Sequence, residues 1–110
     1  MANAFKTFTL RDIDATSETL YTCPSSPSTE TTIIGLNVAN ILTVSITVSV
    51  QLINNDGDNV HIVKDAIVPV GSSLVAVGGD QKIVMNASDI LRITASRASA
   101  ADVTLSVLEI

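Results

Sequence analysis

The stretch Thr43–Leu52, TVSITVSVQL, decides the fold class. Val44, Ile46, Val48, Val50 and Leu52 recur at period two, while Thr43, Ser45, Thr47, Ser49 and Gln51 fill the opposite phase. A strand turns successive side chains to opposite faces, so this spacing predicts one buried apolar face and one short polar face. The branched residues favour the extended backbone because their χ1 freedom is already restricted. A helix would scatter the same residues around its cylinder. A half-apolar strand cannot bury its face alone, so the rest of the chain must supply the partner.

Outward from this stretch the same grammar repeats. Asn54–Asn59, NNDGDN, is dense in residues that tolerate positive φ and form Asx-type bonds, so Val60–Val63 beyond it predicts the second arm of a β-hairpin, with Val60 and Ile62 toward the core. Lys64 and Asp65 read as a solvated pair at that strand's end. Pro69 demotes Ile67–Val70 to a sheet edge, because proline has no N–H for a ladder. Gly71–Ser73 and Gly78–Asp80 supply turns around a strand at Leu74–Val77, and Asn86–Asp89 separates Lys82–Met85 from Ile90–Ala95. In the last strand Val103, Leu105 and Val107 alternate with Thr104 and Ser106, and Leu108 and Ile110 then leave that phase.

Upstream, Thr31–Val38 predicts a strand with Ile34, Leu36 and Val38 in phase and Gly35 marking a bulge. Pro24–Glu30, PSSPSTE, is too long for a tight hairpin and predicts a crossing between sheets or a surface loop. Thr19–Cys23 is a short strand after a polar turn at Asp14–Ser17. Phe5–Ile13 alternates imperfectly and predicts an edge or N-terminal strand able to pair within the domain or with a neighbouring subunit. Only Ser96–Ala101 offers a helical alternative, and it is too short to stand alone. Eight or nine short strands predict an all-β, single-domain sandwich of the jelly-roll or Greek-key type spanning residues 1–110, in which residues 1–30 form the N-terminal arm or edge strand. An immunoglobulin domain of the disulfide type is excluded by the single cysteine and the lack of tryptophan.

Composition narrows the function. Charged residues make up 15% of the 110, against an ordinary share of about 25%. A surface so poor in charge fits burial against other subunits as well as a Thr/Ser-rich exterior. The formal net charge is −5, and Lys6, Arg11, Lys64, Lys82, Arg92 and Arg97 are dispersed, which disfavours nucleic acid and anionic membrane as partners. No stretch is long and apolar enough to span a bilayer, and MANAFKTFTL has no signal-peptide core, so the expectation is synthesis in the cytoplasm without secretion.

Few residues in the chain could carry chemistry. Asn54, Asp56, Asp58 and Asn59 offer hard oxygen ligands around Gly57, but both flanks read as strands and the loop lacks a calcium hand's distal Glu, so turn chemistry accounts for it. His61 is the only histidine and has no partner at ligand spacing. Gly78-Gly79-Asp80 is followed by a strand, which removes the helix a phosphate cradle requires. The carboxylate pairs Asp12/Asp14 and Asp56/Asp58 lie at turns, Ser72 and Ser73 lack a nucleophile elbow, and Cys23 reads as a small buried hydrophobe. Asn86-Ala87-Ser88 matches a glycosylation sequon without a route to modification. The expectation is no catalytic, metal or cofactor-binding residue, and no enzyme.

One run carries a likeness. Val63–Ile93 contains Pro69-Val70-Gly71-Ser72-Ser73-Leu74, then Lys82-Ile83-Val84-Met85, then Asp89-Ile90-Leu91. With Thr31–Asn40 upstream and VTLSVLEI downstream, it resembles small β-sandwich virion proteins of tailed bacteriophages, over about residues 30–110. The resemblance implies a non-enzymatic virion component: a capsid decoration (cement) protein that self-associates, with a trimer as one form, and binds the major capsid protein or other virion subunits. A tail, baseplate or receptor-binding accessory and a carbohydrate-binding module are the alternatives. It brings no catalytic residues with it.

Overall fold

The computed structural model describes residues 3–26 and 29–110, so Met1–Ala2 and the Pro27–Ser28 part of the PSSPSTE loop lie outside the described residues. Nine strands follow in order: β1 (Ala4–Ile13), β2 (Glu18–Thr22), β3 (Glu30–Asn40), β4 (Ile46–Ile53), β5 (Asn59–Val68), β6 (Ser73–Val77), β7 (Ile83–Asn86), β8 (Ile90–Ala95) and β9 (Ala101–Glu109). One sheet, A, has the order β1-β9-β3-β6 with β7 also on β3, and the other, B, has the order β2-β8-β4-β5. All pairings are antiparallel.

This order is a hairpin rolled up on itself. β1 pairs β9, β2 pairs β8, β3 pairs β6 and β7, and β4 pairs β5, so the two halves of the chain run back against each other. The β3–β9 and β4–β8 pairings then close the roll into two sheets. That is the jelly-roll arrangement, with β7 as an addition. The crossing expected at Pro24–Glu30 carries the chain from sheet B to sheet A, between β2 and β3.

Alternation supplies the core between the sheets. Ile46, Val48 and Val50 of β4 meet Leu91 and Ile93 of β8, facing Ile33, Leu36, Val38, Val103, Leu105 and Val107 of sheet A. Each fully buried side chain of this size contributes about 1.5–3 kcal/mol of transfer free energy. Phe8 and Tyr21 join the sheets across the β1–β2 side, their ring centroids 4.8 Å apart and tilted by 54°.

Several predicted phases shift in the structure, most of them at an irregularity of register. Thr43–Leu52 enters its strand only at Ile46, and Val44 is 42% exposed rather than buried. Asn40 is the cause: its Nδ2 donates to the carbonyls of Val44 (2.8 Å) and Val68 (3.0 Å), and its Oδ1 accepts from Leu42 N (2.8 Å). This pins residues 41–45 into a loop. Gly35 marks a bulge as expected, with the β3–β9 register shifting between Ile33 and Gly35, and the shift turns Ile33 into the core and Ile34 away from it. In β1 the register breaks between Leu10 and Ile13, with Asp12 at φ 53°, so Ile13 becomes buried although its alternation places it outside.

β5 departs furthest. Its pairing with β4 shifts twice, so Val60 is 51% exposed, and the strand continues through Lys64 and Asp65 to Val68. Lys64 and Asp65 therefore lie within the strand. Asp65 takes φ 50°, its N–H donates to Ser49 Oγ (2.9 Å), and this bulge replaces the predicted strand end.

Candidate functional site

The expected turn at Asn54–Asn59 is closed by its own first residue. Asn54 N donates to Asp58 O at 2.9 Å, Asn54 Oδ1 accepts from Asp56 N (2.9 Å) and Asp58 N (3.2 Å), and Gly57 adopts φ 95°. The loop's best oxygen is thus committed to its own backbone. Asp89, buried at the neighbouring turn, accepts from Asn55 N through Oδ1 and from Asn86 N through Oδ2, both at 2.9 Å. It fastens two loops at one end of the sandwich. Among the described residues no group of three or more His, Cys, Asp and Glu side chains is placed to hold a metal ion.

The other polar and ionisable candidates stay apart. Asp14 Oδ1 accepts from Thr16 N (2.9 Å) within its turn, and Asp12 N donates to Asp102 Oδ1 (3.1 Å). His61 is exposed on β5 opposite Gln51. Gly79 takes φ 62° in the turn before β7, where its carbonyl accepts from Lys82 Nζ. Ser72 closes its own turn on Pro69 O through both N–H and Oγ. Ser88, in the sequon, takes φ 69° in the β7–β8 turn. An open groove of about 560 Å³ lined by Ser45, Ile46, Thr47, Ile67, Ser96 and Arg97 contains no carboxylate, imidazole or thiol.

One polar constellation is buried. Tyr21 Oη donates to Glu109 Oε2 at 2.6 Å and lies 2.8 Å from Thr31 Oγ1, which is 3.2 Å from Cys23 Sγ. Lys6 Nζ reaches Glu109 Oε1 at 2.8 Å from the half-exposed side. Tyr21 and Cys23 come from sheet B and its exit, and Lys6, Thr31 and Glu109 from three strands of sheet A, so the network ties the sheets together. Lys6 and the Tyr21 hydroxyl hold the Glu109 carboxyl below its ordinary pKa against the opposing effect of burial. Burial, reinforced by the hydrogen bond to Glu109, pushes the Tyr21 phenol up, and burial likewise raises the Cys23 thiol. A protonated phenol and a protonated, enclosed thiol are poor nucleophiles. The constellation is structural. In the sequence, Glu109 sits in step with Val103, Leu105 and Val107, and that phase was the available signal for an inward carboxylate.

Cys23 is accordingly expected to resist a soluble alkylating reagent in the folded protein by about a thousandfold relative to the unfolded chain. Mass spectrometry of timed iodoacetamide reactions measures this directly. Labelling at the unfolded rate would contradict the enclosed position.

The outer faces differ from each other. On sheet B, Arg92 donates to Ser17 and Thr19, and His61, Lys64 and Asp65 stand on β5. On sheet A, Thr7 pairs Ser106, and Thr9 pairs Thr104, which pairs Asn37, which pairs Val75. A second row runs Phe5–Leu108–Thr32–Val84. Phe5 is 77% exposed, and Val75 and Val84 are also exposed. Neither row contains a charge. The uncharged exterior thus lies chiefly on sheet A, not on the polar phase of β4.

The fold defines a jelly-roll β-sandwich without a metal-holding cluster among its described residues. No family model and no curated protein matches the sequence. Solved structures do match in shape. A chain of the Bacillus endospore appendages, a family of disulfide-linked pili, covers 98% of this chain and 86% of its own at TM-score 0.56 and 14% identity. A chain from the acid-stable capsid of Helicobacter pylori bacteriophage KHP30 covers 100% and 89% at TM-score 0.56 and 7% identity. The Drosophila NLP core, described for pentamer formation and histone binding, covers 99% and 97% at TM-score 0.52 and 13% identity. At these identities the shared property is the fold.

Proposed function

We propose that this chain is a non-enzymatic structural subunit of a virus particle, a capsid decoration protein that seats on the major capsid protein or other virion subunits. The observation that carries the reading is the outer face of sheet A: two cross-strand rows without charge, bearing the exposed Phe5, Val75 and Val84. Exposed apolar side chains in rows without charge are the usual composition of a protein-protein contact core, which is depleted in Lys, Glu and Asp. The fold shared with a bacteriophage capsid chain supports the same reading. A pilus held by disulfides fits less well. The single cysteine gives each copy at most one covalent link, enough for pairs but not for a polymer, and Cys23 is buried.

The test is quantitative mass spectrometry of separated heads and tails from purified particles. A decoration protein is present in hundreds of copies per head and absent from tails. Tens of copies travelling with tails would favour the tail-accessory reading, and absence from both would end the virion assignment. On isolated heads, Thr104→Lys together with Val84→Lys is expected to abolish binding while leaving the melting temperature nearly unchanged, since both side chains point outward.

A further inference from the structure

Edge strands normally carry a guard against pairing with another chain: shortness, a bulge, a proline or a charged side chain on the edge. Three of the sandwich's edges are guarded. β6 and β7 have five and four residues. β2 has five, with a register shift between Thr19 and Tyr21. β5 is long but shifts register twice, carries Lys64 and Asp65, and bulges at Asp65.

β1 is the exception. Ala4–Leu10 pairs β9 through seven consecutive residues without a break, and its bulge at Asp12 falls near the far end. Among the described residues no strand pairs with its other side. Lys6 is drawn away by its ion pair with buried Glu109, and the strand's other charges, Arg11 and Asp12, lie 3.8 Å from each other at its far end, beyond the unbroken ladder. The unpaired side of such a strand presents an alternating row of backbone N–H and C=O groups.

We propose that β1 pairs antiparallel with β1 of a second copy of this chain about a two-fold axis at Phe8, joining two A sheets into one continuous sheet. A two-fold contact must be self-complementary, and the sequence of β1 is. With Phe8 opposite its own copy, Thr7 faces Thr9, Lys6 faces Leu10, and Phe5 faces Arg11. No like charges meet. Phe5 and Arg11 are both exposed, at 77% and 86%, and both lie on the outer face, where each Arg11 guanidinium can cover the ring of the partner's Phe5. An axis at Thr7 would spend Phe5 on Thr9, and one at Thr9 would run the pairing into the Asp12 bulge. The pairing does not depend on the virion role: a dimer can form in solution whether or not the protein rides on a particle.

The purified chain tests this by sedimentation velocity over a wide concentration range. The expected mass approaches twice the 11.5 kDa of one chain. Phe5→Lys, which sets a cation against Arg11, is expected to weaken the dimer about tenfold or more, whereas Phe5→Glu, which offers Arg11 a carboxylate, retains it. A mixture of Thr7→Cys and Thr9→Cys chains is expected to join by a disulfide under mild oxidation, and neither variant alone to join to itself, because its two cysteines would lie on the diagonal, beyond disulfide reach. Circular dichroism checks that each variant is folded. A strict monomer, a trimer, a Phe5→Lys dimer of unchanged affinity, or self-linking by either cysteine variant alone would overturn the proposal. A monomer found abundantly on heads would sink the dimer and leave the virion reading standing, and a dimer missing from particles would do the reverse.

Discussion

Leu105→Ala is expected to remove about 3–5 kcal/mol of folding stability, at the upper end of leucine truncations. Leu105 is fully buried in the central strand of sheet A, opposite Phe8 of β1 on one side and Leu36 of β3 on the other. Its neighbours are held by two ladders and cannot collapse into the void, so the cavity penalty adds to the lost transfer free energy. A domain of this size has about 5–15 kcal/mol in total. The melting temperature should fall by about 10–20 °C in calorimetry. A shift of only a degree or two would mean that the centre of sheet A is more loosely packed than the geometry implies.

Glu109→Gln should give the second large effect, about 1.5–3 kcal/mol, the usual range for a hydrogen bond to a charged group. Gln keeps the shape but loses the charge that Lys6 and the Tyr21 hydroxyl both address. The same residue sets a pH dependence. Its carboxyl is held below its ordinary value in the folded state, so the folded chain binds fewer protons than the unfolded chain in that interval. The stabilisation is fully present above the ordinary glutamate value of about 4.3 and is lost as pH falls through the depressed folded value. Chemical denaturation at a series of acidic pH values should show a steeper loss for the wild-type chain than for Glu109→Gln. Parallel curves would remove Glu109 as the titrating group.

How much of this was legible in the sequence follows from what sets each feature. Strand existence was legible because alternation is local: Ile90–Ala95 matches its expected bounds, and the turns at Asn54–Asp58 and Pro69–Ser72 are fixed by residues within them. Phase across an irregularity was not. One inserted residue flips every side chain after it. Gly35 announced its bulge, but Asp12 and Asp65 at positive φ gave no comparable warning. Val44 failed for another reason, since the Asn40 side chain takes hold of residues 42 and 44 and of Val68, a partner far along the chain. The buried network was half legible. Cys23 reads correctly as buried, whereas nothing in the sequence beyond its phase singles out Glu109, because a carboxylate in an apolar phase becomes plausible only once Lys6 and Tyr21 are known to converge on it. The polar phase of Thr43–Leu52 is itself uncharged, but Arg92, Lys64 and Asp65 stand beside it on sheet B, and the larger uncharged face lies elsewhere. It lies mainly on sheet A because strand order, which local pattern does not encode, gathers Thr7, Thr9, Thr104, Thr32 and Asn37 there.

The rolled-hairpin order also sets a timetable. β1 has its ladder partner in β9, so residues 4–10 wait unpaired until residues 103–109 have been synthesised. On a ribosome adding about 5–20 residues per second, nearly the whole chain must emerge before sheet A can close. Contacts so distant along the chain make closure slow, because loop entropy is lost before the ladder rewards it. β1, made before the other eight strands, is therefore among the last secured, and newly made copies pass through a stage in which both sides of β1 are open to neighbouring chains.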